Sequence, residues 1–394
     1  VKDLAGSDLL IVGGGCMGAS IAYHLAKAGV GKVTLLERRT IGSGTTGASS
    51  AIVRQHYSLP TLADMAQRSL RVFQNFADMV GGDAGFRQTG LLIGARAEDL
   101  DGLAASVAMQ QGLGIDTRMI DRHELGELEP RMTADDLIGA CYEPEAGYAD
   151  PVAVTMAYAR AARAVGAQVL TNSPVQALLV EGGRARGVRL ADGTELKAEI
   201  VIVAANIWSV SLLRAVGVDL PVHATRHPCI LLQQPAGFGP QHAIFFDFTN
   251  GLYLRPEGAT LTLAGTLDET EAHAADPDRF QTTPSHEEAE RFAIRAARRF
   301  PALENATLQS GYAGIYDVSA DWQPIIGPMP GIEGLYGALG FSGHGFKLCP
   351  VVGELLADMV LGHETPAIDR DLFRADRFAQ GDLAPSRYAY NIIG

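Results

Sequence analysis

Residues 8 to 18 read Asp8-Leu9-Leu10-Ile11-Val12-Gly13-Gly14-Gly15-Cys16-Met17-Gly18, and the fold follows from how this stretch is read. Leu9 to Val12 is a short apolar run of the length of a buried strand. The glycines after it make a tight turn, and Ala19 to Ala28 reads as a helix ending near Gly29. Lys32 to Glu37 (KVTLLE) is the next strand, parallel to the first by the crossover rule. Gly13-x-Gly15-x-x-Gly18 therefore sits inside a β-α-β unit. In this pattern Gly13 permits the turn, Gly15 lets the backbone approach a pyrophosphate, and Gly18 lets helix and sheet pack closely. The helix N-terminus offers free N–H groups and a positive dipole end to the phosphates. Glu37, closing the second strand, is placed to accept from ribose hydroxyls, and its charge disfavours a 2′-phosphate. The unit predicts a dinucleotide cofactor and disfavours NADP; spacing alone leaves FAD and NAD open.

Outward from this unit, 394 residues are too many for one ordinary core and suggest about two to three domains. Hydrophobic residues at 47% and charged residues at 20% are globular proportions. A net charge of −13 gives no electrostatic footprint for nucleic acid or an anionic membrane, so neither is expected as a partner. The four cysteines (Cys16, Cys141, Cys229, Cys349) form no C-x-x-C pair, and no metal site is expected. Their sparse use fits a reducing compartment, and neither a signal peptide nor a run of about 18 apolar residues is seen, so the expected location is cytoplasmic.

Helices are predicted over 61–80, 98–111, 152–165 and 286–299, the last with a solvated charged face, and a closing helix over 351–361. Short strands fill 168–203, and 221–265 is strand-rich. The strands of the nucleotide half thus come from the start, middle and end of the chain. The expected division gives 1–85, 150–220 and 315–370 to a nucleotide-binding domain and 86–149 and 221–314 to a substrate domain. A tail, 371–394, carries Tyr388 and Tyr390 and has no assigned role.

After Glu37 comes Arg38-Arg39-Thr40-Ile41-Gly42-Ser43-Gly44-Thr45-Thr46-Gly47-Ala48-Ser49-Ser50-Ala51, a run of small and hydroxyl residues that suits a loop passed closely by a large cofactor. Three segments, IVGGGCMGASIAYHLAKAG (11–29), LLERRTIGSGTTGASSAIVR (35–54) and GFSGHGFKLCPVVGELLADMVLG (340–362), together resemble the D-amino-acid-oxidase/sarcosine-oxidase superfamily of FAD-dependent oxidoreductases. GIYDVSADWQPIIG (314–327) resembles the branch with monomeric sarcosine oxidase, proline dehydrogenase and dimethylglycine dehydrogenase.

The resemblance implies an α/β plus α+β fold of the glutathione-reductase-2-like kind. It has a Rossmann-like FAD domain and a substrate domain on a large mixed or antiparallel sheet. It implies FAD held by Gly13, Gly15, Cys16, Met17, Gly18, Glu37, Arg38, Ser43, Gly44, Thr45, Thr46, Ala48, Ser49, Ser50 and Ala51. Later segments would add Val175, Ala204, Ala205, Trp208, Gly314, Tyr316, Gly340, Ser342, Gly343, His344, Gly345, Phe346 and Lys347. Sarcosine oxidase carries its flavin on a cysteine in the segment aligned with Gly314–Tyr316; this chain has none there, so non-covalent FAD is expected. It also lacks, in Thr262–Thr266, the histidine that sarcosine oxidase has.

The activity implied is hydride removal from a carbon beside nitrogen in a small secondary or tertiary amine or amino acid, N-methyl or cyclic. By resemblance Lys347 assists reaction with oxygen, Arg54 lies over the flavin at the substrate site, and Tyr253 faces substrate; His344 completes the candidate catalytic set. His56 lies near this site, and Arg255 is a candidate carboxylate anchor. The acceptor expected is O2, with another carrier as the alternative; the chain is expected as a monomer or homo-oligomer, or as a subunit of a larger oxidase. A second reading is oxidation of a 2-hydroxy acid, which needs a base such as His223, His227, His242 or His273.

Overall fold

Leu9–Val12 lies inside a six-stranded sheet, and its side chains alternate between two cores. In the computed structural model, which describes residues 8–365 and 368–384, the strand order is Ile325–Pro328, Leu335–Leu339, Ile200–Val203, Leu9–Val12, Val33–Leu36, Gln168–Leu170. All neighbours are parallel except the first pair. Leu9 and Ile11 pack among the helices Cys16–Lys27, Pro151–Ala164 and Gly345–Leu361. Leu10 and Val12 face Val188 and Leu196 of a three-stranded meander, Val175–Glu181, Arg184–Leu190 and Glu195–Lys197. Covered on both faces, such a strand must be apolar throughout. Each fully buried Leu or Ile contributes roughly 1.5–3 kcal/mol.

The second large sheet has nine strands and is mixed. Strand Val222–Gln233 pairs along its length with Thr307–Ser319, and also with Leu261–Thr266 and His273–Ala274. From Leu261–Thr266 the order continues through Leu252–Glu257, Ile244–Asp247, Leu91–Ala95, Gly139–Glu143 and Arg118–Asp121. Only Ile244–Asp247 and Leu91–Ala95 run parallel. This is the architecture expected from the sequence. A small sheet of Ile52–Val53, Gly147–Tyr148 and Arg87–Gln88 ties the halves together. The expected boundaries at 85/86 and 149/150 flank this tie, and the one at 314/315 falls inside the continuous strand Thr307–Ser319.

Three local expectations change, and the tail gains an anchor. The helix expected over 61–80 is two, Pro60–Gln74 and Phe76–Met79, parted at Asn75. The closing helix starts at Gly345 rather than 351, because Pro350 is accommodated inside it; Lys347 is therefore helical. The helix His286–Arg299 is not wholly solvated: Arg299 is buried and its guanidinium pairs with Asp247 (2.7 Å) and Asp136 (2.8 Å). Part of the tail is anchored, with buried Arg377 paired to buried Asp321 at 2.8 Å; Tyr388 and Tyr390 lie outside the described residues. Among the described residues, no helix is long and apolar enough to cross a membrane, and no group of three His, Cys, Asp or Glu is placed to hold a metal.

Candidate active site

The glycine loop forms one wall of a cavity of about 400 Å³. Gly13 has φ +113°, and a Cβ on Gly18 would run into the Gly13 carbonyl oxygen, so loop and helix meet at backbone distance. The helix Cys16–Lys27 is capped at Gly15 with no side-chain hydrogen bond. Its first turn keeps donors facing the cavity; Cys16 N–H donates to Thr46 Oγ1 at 3.2 Å. Glu37 Oε2 accepts from Gly14 N–H (2.7 Å) and Oε1 from Arg39 N–H (2.8 Å). Each oxygen keeps acceptor capacity for a hydroxyl.

The cavity runs from Glu37 and Arg38, past Gly44–Thr46, to Gly314, Tyr316, Gly343 and the start of the helix Gly345–Leu361. That helix too lacks a side-chain cap, with His344 at its N-cap position. A volume of about 400 Å³ lies within the roughly 300–1,000 Å³ of small-molecule sites. Two helix starts without an N-cap side-chain bond, a backbone-lined turn and an acid at the end of the second strand fit FAD.

A smaller cavity of about 50 Å³ adjoins the first, sharing Ser49, Ser50, Tyr316, Gly343 and Phe346 with it. Arg54, Tyr253, His344 and Lys347 all line it, so the four candidate catalytic residues, drawn from separate parts of the chain, meet in one place. Ile52, Phe246, Thr266 and Leu267 complete the wall with no acidic residue. Arg54 is 3% exposed, donates to the His56 carbonyl, and lies 4.5 Å from the Tyr57 ring centroid and 5.7 Å from that of Phe246. Lys347 Nζ stands 5.9 Å from the Tyr57 centroid. Burial holds its ammonium well below the usual lysine range, and the Arg54 charge acts the same way. Tyr253 lies against Gly265, where a Cβ would meet its ring, and its hydroxyl is 3.2 Å from Cys229 Sγ.

Asp317 shapes the turn between the two cavities. Its Oδ2 accepts from Gly340 N–H at 2.6 Å and its carbonyl from Ser342 N–H at 3.1 Å. Burial raises its carboxyl to about 7. Three non-glycine residues near the site have φ close to +50°: Ala51, Asn206 and Ser342. Such backbone is strained by about 1–3 kcal/mol and needs surrounding contacts to persist. Behind Arg54, buried Glu143 Oε1 accepts from Gln55 N–H at 2.7 Å. Burial raises the Glu143 carboxyl to about 7.

Most expected cofactor residues line the larger cavity, including Met17, Ser49, Val175, Ala204, Ala205 and Trp208. Gly18, Ser43, Ala48, Ala51, Gly340 and Ser342 line neither cavity, and His344 and Lys347 line only the smaller one. His56 sits behind the site, its Nδ1 3.2 Å from Gln110 Nε2, and burial pushes it down to about 3. Arg255 lines neither cavity and pairs with Glu257 at 2.7 Å. His223 and His273 are exposed, while His227 and His242 are buried with hydroxyl partners, Thr225 Oγ1 and Thr262 Oγ1. Of the lining residues not foreseen, Asn206 has no motif to announce it, and Asp317 lies within the segment 314–327 but is not singled out by it.

These features define a flavin-dependent oxidoreductase. The chain belongs to the family described as DAO, FAD dependent oxidoreductase, whose model matches residues 8–359. It is 31% identical over 382 residues to 4-methylaminobutanoate oxidase (formaldehyde-forming) of Paenarthrobacter nicotinovorans, covering 94% of this chain and 45% of that protein. It is 28% identical to human mitochondrial sarcosine dehydrogenase, covering 94% of this chain and 41% of that one, so it spans less than half of these relatives. With glycine oxidase of Bacillus licheniformis the match is 28% identical and covers 94% and 97% of the two chains. Among solved structures, L-proline dehydrogenase from P. horikoshii superposes with a TM-score of 0.88 at 28% identity, over 96% of this chain and all of that one.

Proposed function

We propose that the chain oxidises the carbon–nitrogen bond of a small secondary or tertiary amino acid, N-methylated or cyclic, with FAD held non-covalently. One observation carries this reading: two buried basic side chains, Arg54 and Lys347, share an acid-free pocket that opens onto the dinucleotide cavity. The Arg54 guanidinium binds the substrate carboxylate. With no acid to pair with the substrate nitrogen, and positive charge beside it, the amine is favoured neutral, its lone pair free to form the C=N bond. Lys347, held below the usual lysine range, takes the amine's proton. Ile52, Phe246 and Leu267 exclude water from the reacting carbon. When bound, FAD supplies the hydride acceptor. The helix Gly345–Leu361 starts at the larger cavity without an N-cap side-chain bond, so its first N–H groups would be available to stabilise negative charge there.

The names of the relatives support an amine or amino-acid substrate. Hydroxy-acid oxidation is less well served, since His344 is the only histidine lining the smaller cavity among the described residues. O2 is the proposed acceptor, through Lys347, giving imine and hydrogen peroxide. Turnover with N-methylglycine, proline and their 2-hydroxy counterparts tests the reading. Peroxide formed together with the aldehyde or imino acid supports it; turnover of the hydroxy acids alone refutes it.

A further inference from the structure

One end of the larger cavity is bordered by a contact that crosses between the two halves of the molecule. The segment 275–285 leaves the nine-stranded sheet after His273–Ala274 and returns to the helix His286–Arg299. It is pinned at both ends. Ala275 N–H donates to the Ala224 carbonyl (3.0 Å) and Ala313 N–H to that of Thr282 (2.7 Å). The Arg226 guanidinium donates to the carbonyls of Gln281 and Thr283, each at 2.8 Å. Between these anchors Asp278 reaches the nucleotide half. Its Oδ1 accepts from Arg38 Nη1 at 3.1 Å and from Trp208 Nε1 at 2.9 Å. The Arg38 guanidinium lies 4.1 Å from the Trp208 ring centroid.

Arg38 and Trp208 both line the cavity beside Glu37, the end that takes the adenosine ribose in a glycine-loop unit. Asp278 is presented by its own turn, with its N–H donating to Asp276 Oδ1 at 2.9 Å. We propose that 275–285 is a strap whose Asp278 latches Arg38 onto Trp208 and thereby slows release of the bound dinucleotide. The inference rests on the FAD reading of the cavity.

The latch suits a kinetic role better than a structural one. The Arg38 and Asp278 side chains are 38% and 59% exposed, and an exposed pair adds little to folding stability. For that wall to swing open, however, the ion pair, the indole hydrogen bond and the stacked guanidinium must part together. Interactions that break only on opening act on the dissociation rate. An exposed ion pair is also screened by salt, which gives the latch its own signature.

The test uses the purified holoprotein and follows released FAD by its fluorescence after dilution. Asp278→Ala is expected to release FAD about five- to thirtyfold faster than the parent chain. Asp278→Asn keeps an acceptor for Trp208 but loses the charge, and should fall between. Raising the salt should speed release from the parent and leave Asp278→Ala unchanged, while the two apoproteins unfold at the same temperature. Equal release rates for Asp278→Ala and the parent would overturn the latch. So would an apoprotein of the variant that melts well below the parent, since the faster release would then follow from a weakened fold. A parent protein that neither carries flavin nor takes up added FAD would overturn the reading beneath it.

Discussion

The His227 imidazole is stacked on the Tyr316 ring, 3.7 Å between centroids and 17° from parallel, and Gly343 lies against Tyr316 so closely that a Cβ there would meet the ring. Tyr316 lines both cavities, so this packing fixes the wall where they join. Gly343 also has φ +87°. Gly343→Ala should displace the Tyr316 ring and strain the turn, by roughly 1–2 kcal/mol for the backbone alone. The expected outcome is a purified protein with less than half its normal flavin content, read from the ratio of visible to ultraviolet absorbance. Full flavin content with an unshifted spectrum would show that the junction tolerates movement.

Arg54 is the proposed carboxylate anchor. Arg54→Met should weaken binding of carboxylate-bearing amines by roughly 10- to 150-fold, the worth of a charged hydrogen bond. Amines without a carboxylate should bind the variant and the parent alike. Anaerobic titrations that follow the flavin spectrum separate the two sets.

Lys347 predicts a pH dependence of stability. Its folded-state pKa lies below that of the unfolded chain, so just below the ordinary lysine value the unfolded state binds the extra proton. Stability therefore rises with pH through the window below 10.5, and the penalty for burying the charge grows as pH falls. Lys347→Met should stabilise the apoprotein, with an advantage that widens from pH 10 downward. In the holoprotein the same variant should slow flavin reoxidation by O2 far more than flavin reduction. Stopped-flow measurement of both half-reactions checks this.

Glu143 behaves in the opposite sense. Its carboxyl is raised from 4.5 to about 7 by burial. Below pH 4.5 both states are protonated and nothing is lost; between there and about 7 stability falls as pH rises, and above 7 the loss is complete, about 3 kcal/mol. Glu143→Gln should narrow this difference, so its apoprotein should gain on the parent between pH 5 and pH 8 in urea melts. Parallel curves would place the Glu143 charge in a better-solvated setting than its burial implies.

The nucleotide half is legible because its signals are local. Leu9–Val12, the glycine turn and Glu37 lie within one β-α-β unit, and their spacing carries the geometry. The smaller pocket is legible only through motif likeness: Arg54, Tyr253 and Lys347 come from separate elements, and no periodicity joins them. Arg255 shows the limit of that approach, since nothing in its strand says that it pairs with Glu257 beside the Tyr148 ring. The start of the helix at Gly345 is hidden because Pro350 normally signals a helix start or stop, and here it lies inside. The hydrogen bonds of Asp278 with Arg38 and Trp208 span 240 and 70 residues, beyond any local signal.

Whether this chain is a flavin-dependent amine oxidoreductase is read from the visible spectrum of the purified protein, recorded before and after anaerobic addition of N-methylglycine or proline. The expected result is a flavin band that acid precipitation releases into solution and that one of these amines bleaches. A flavin band that no amine bleaches, or a protein with no flavin that binds none, would contradict it.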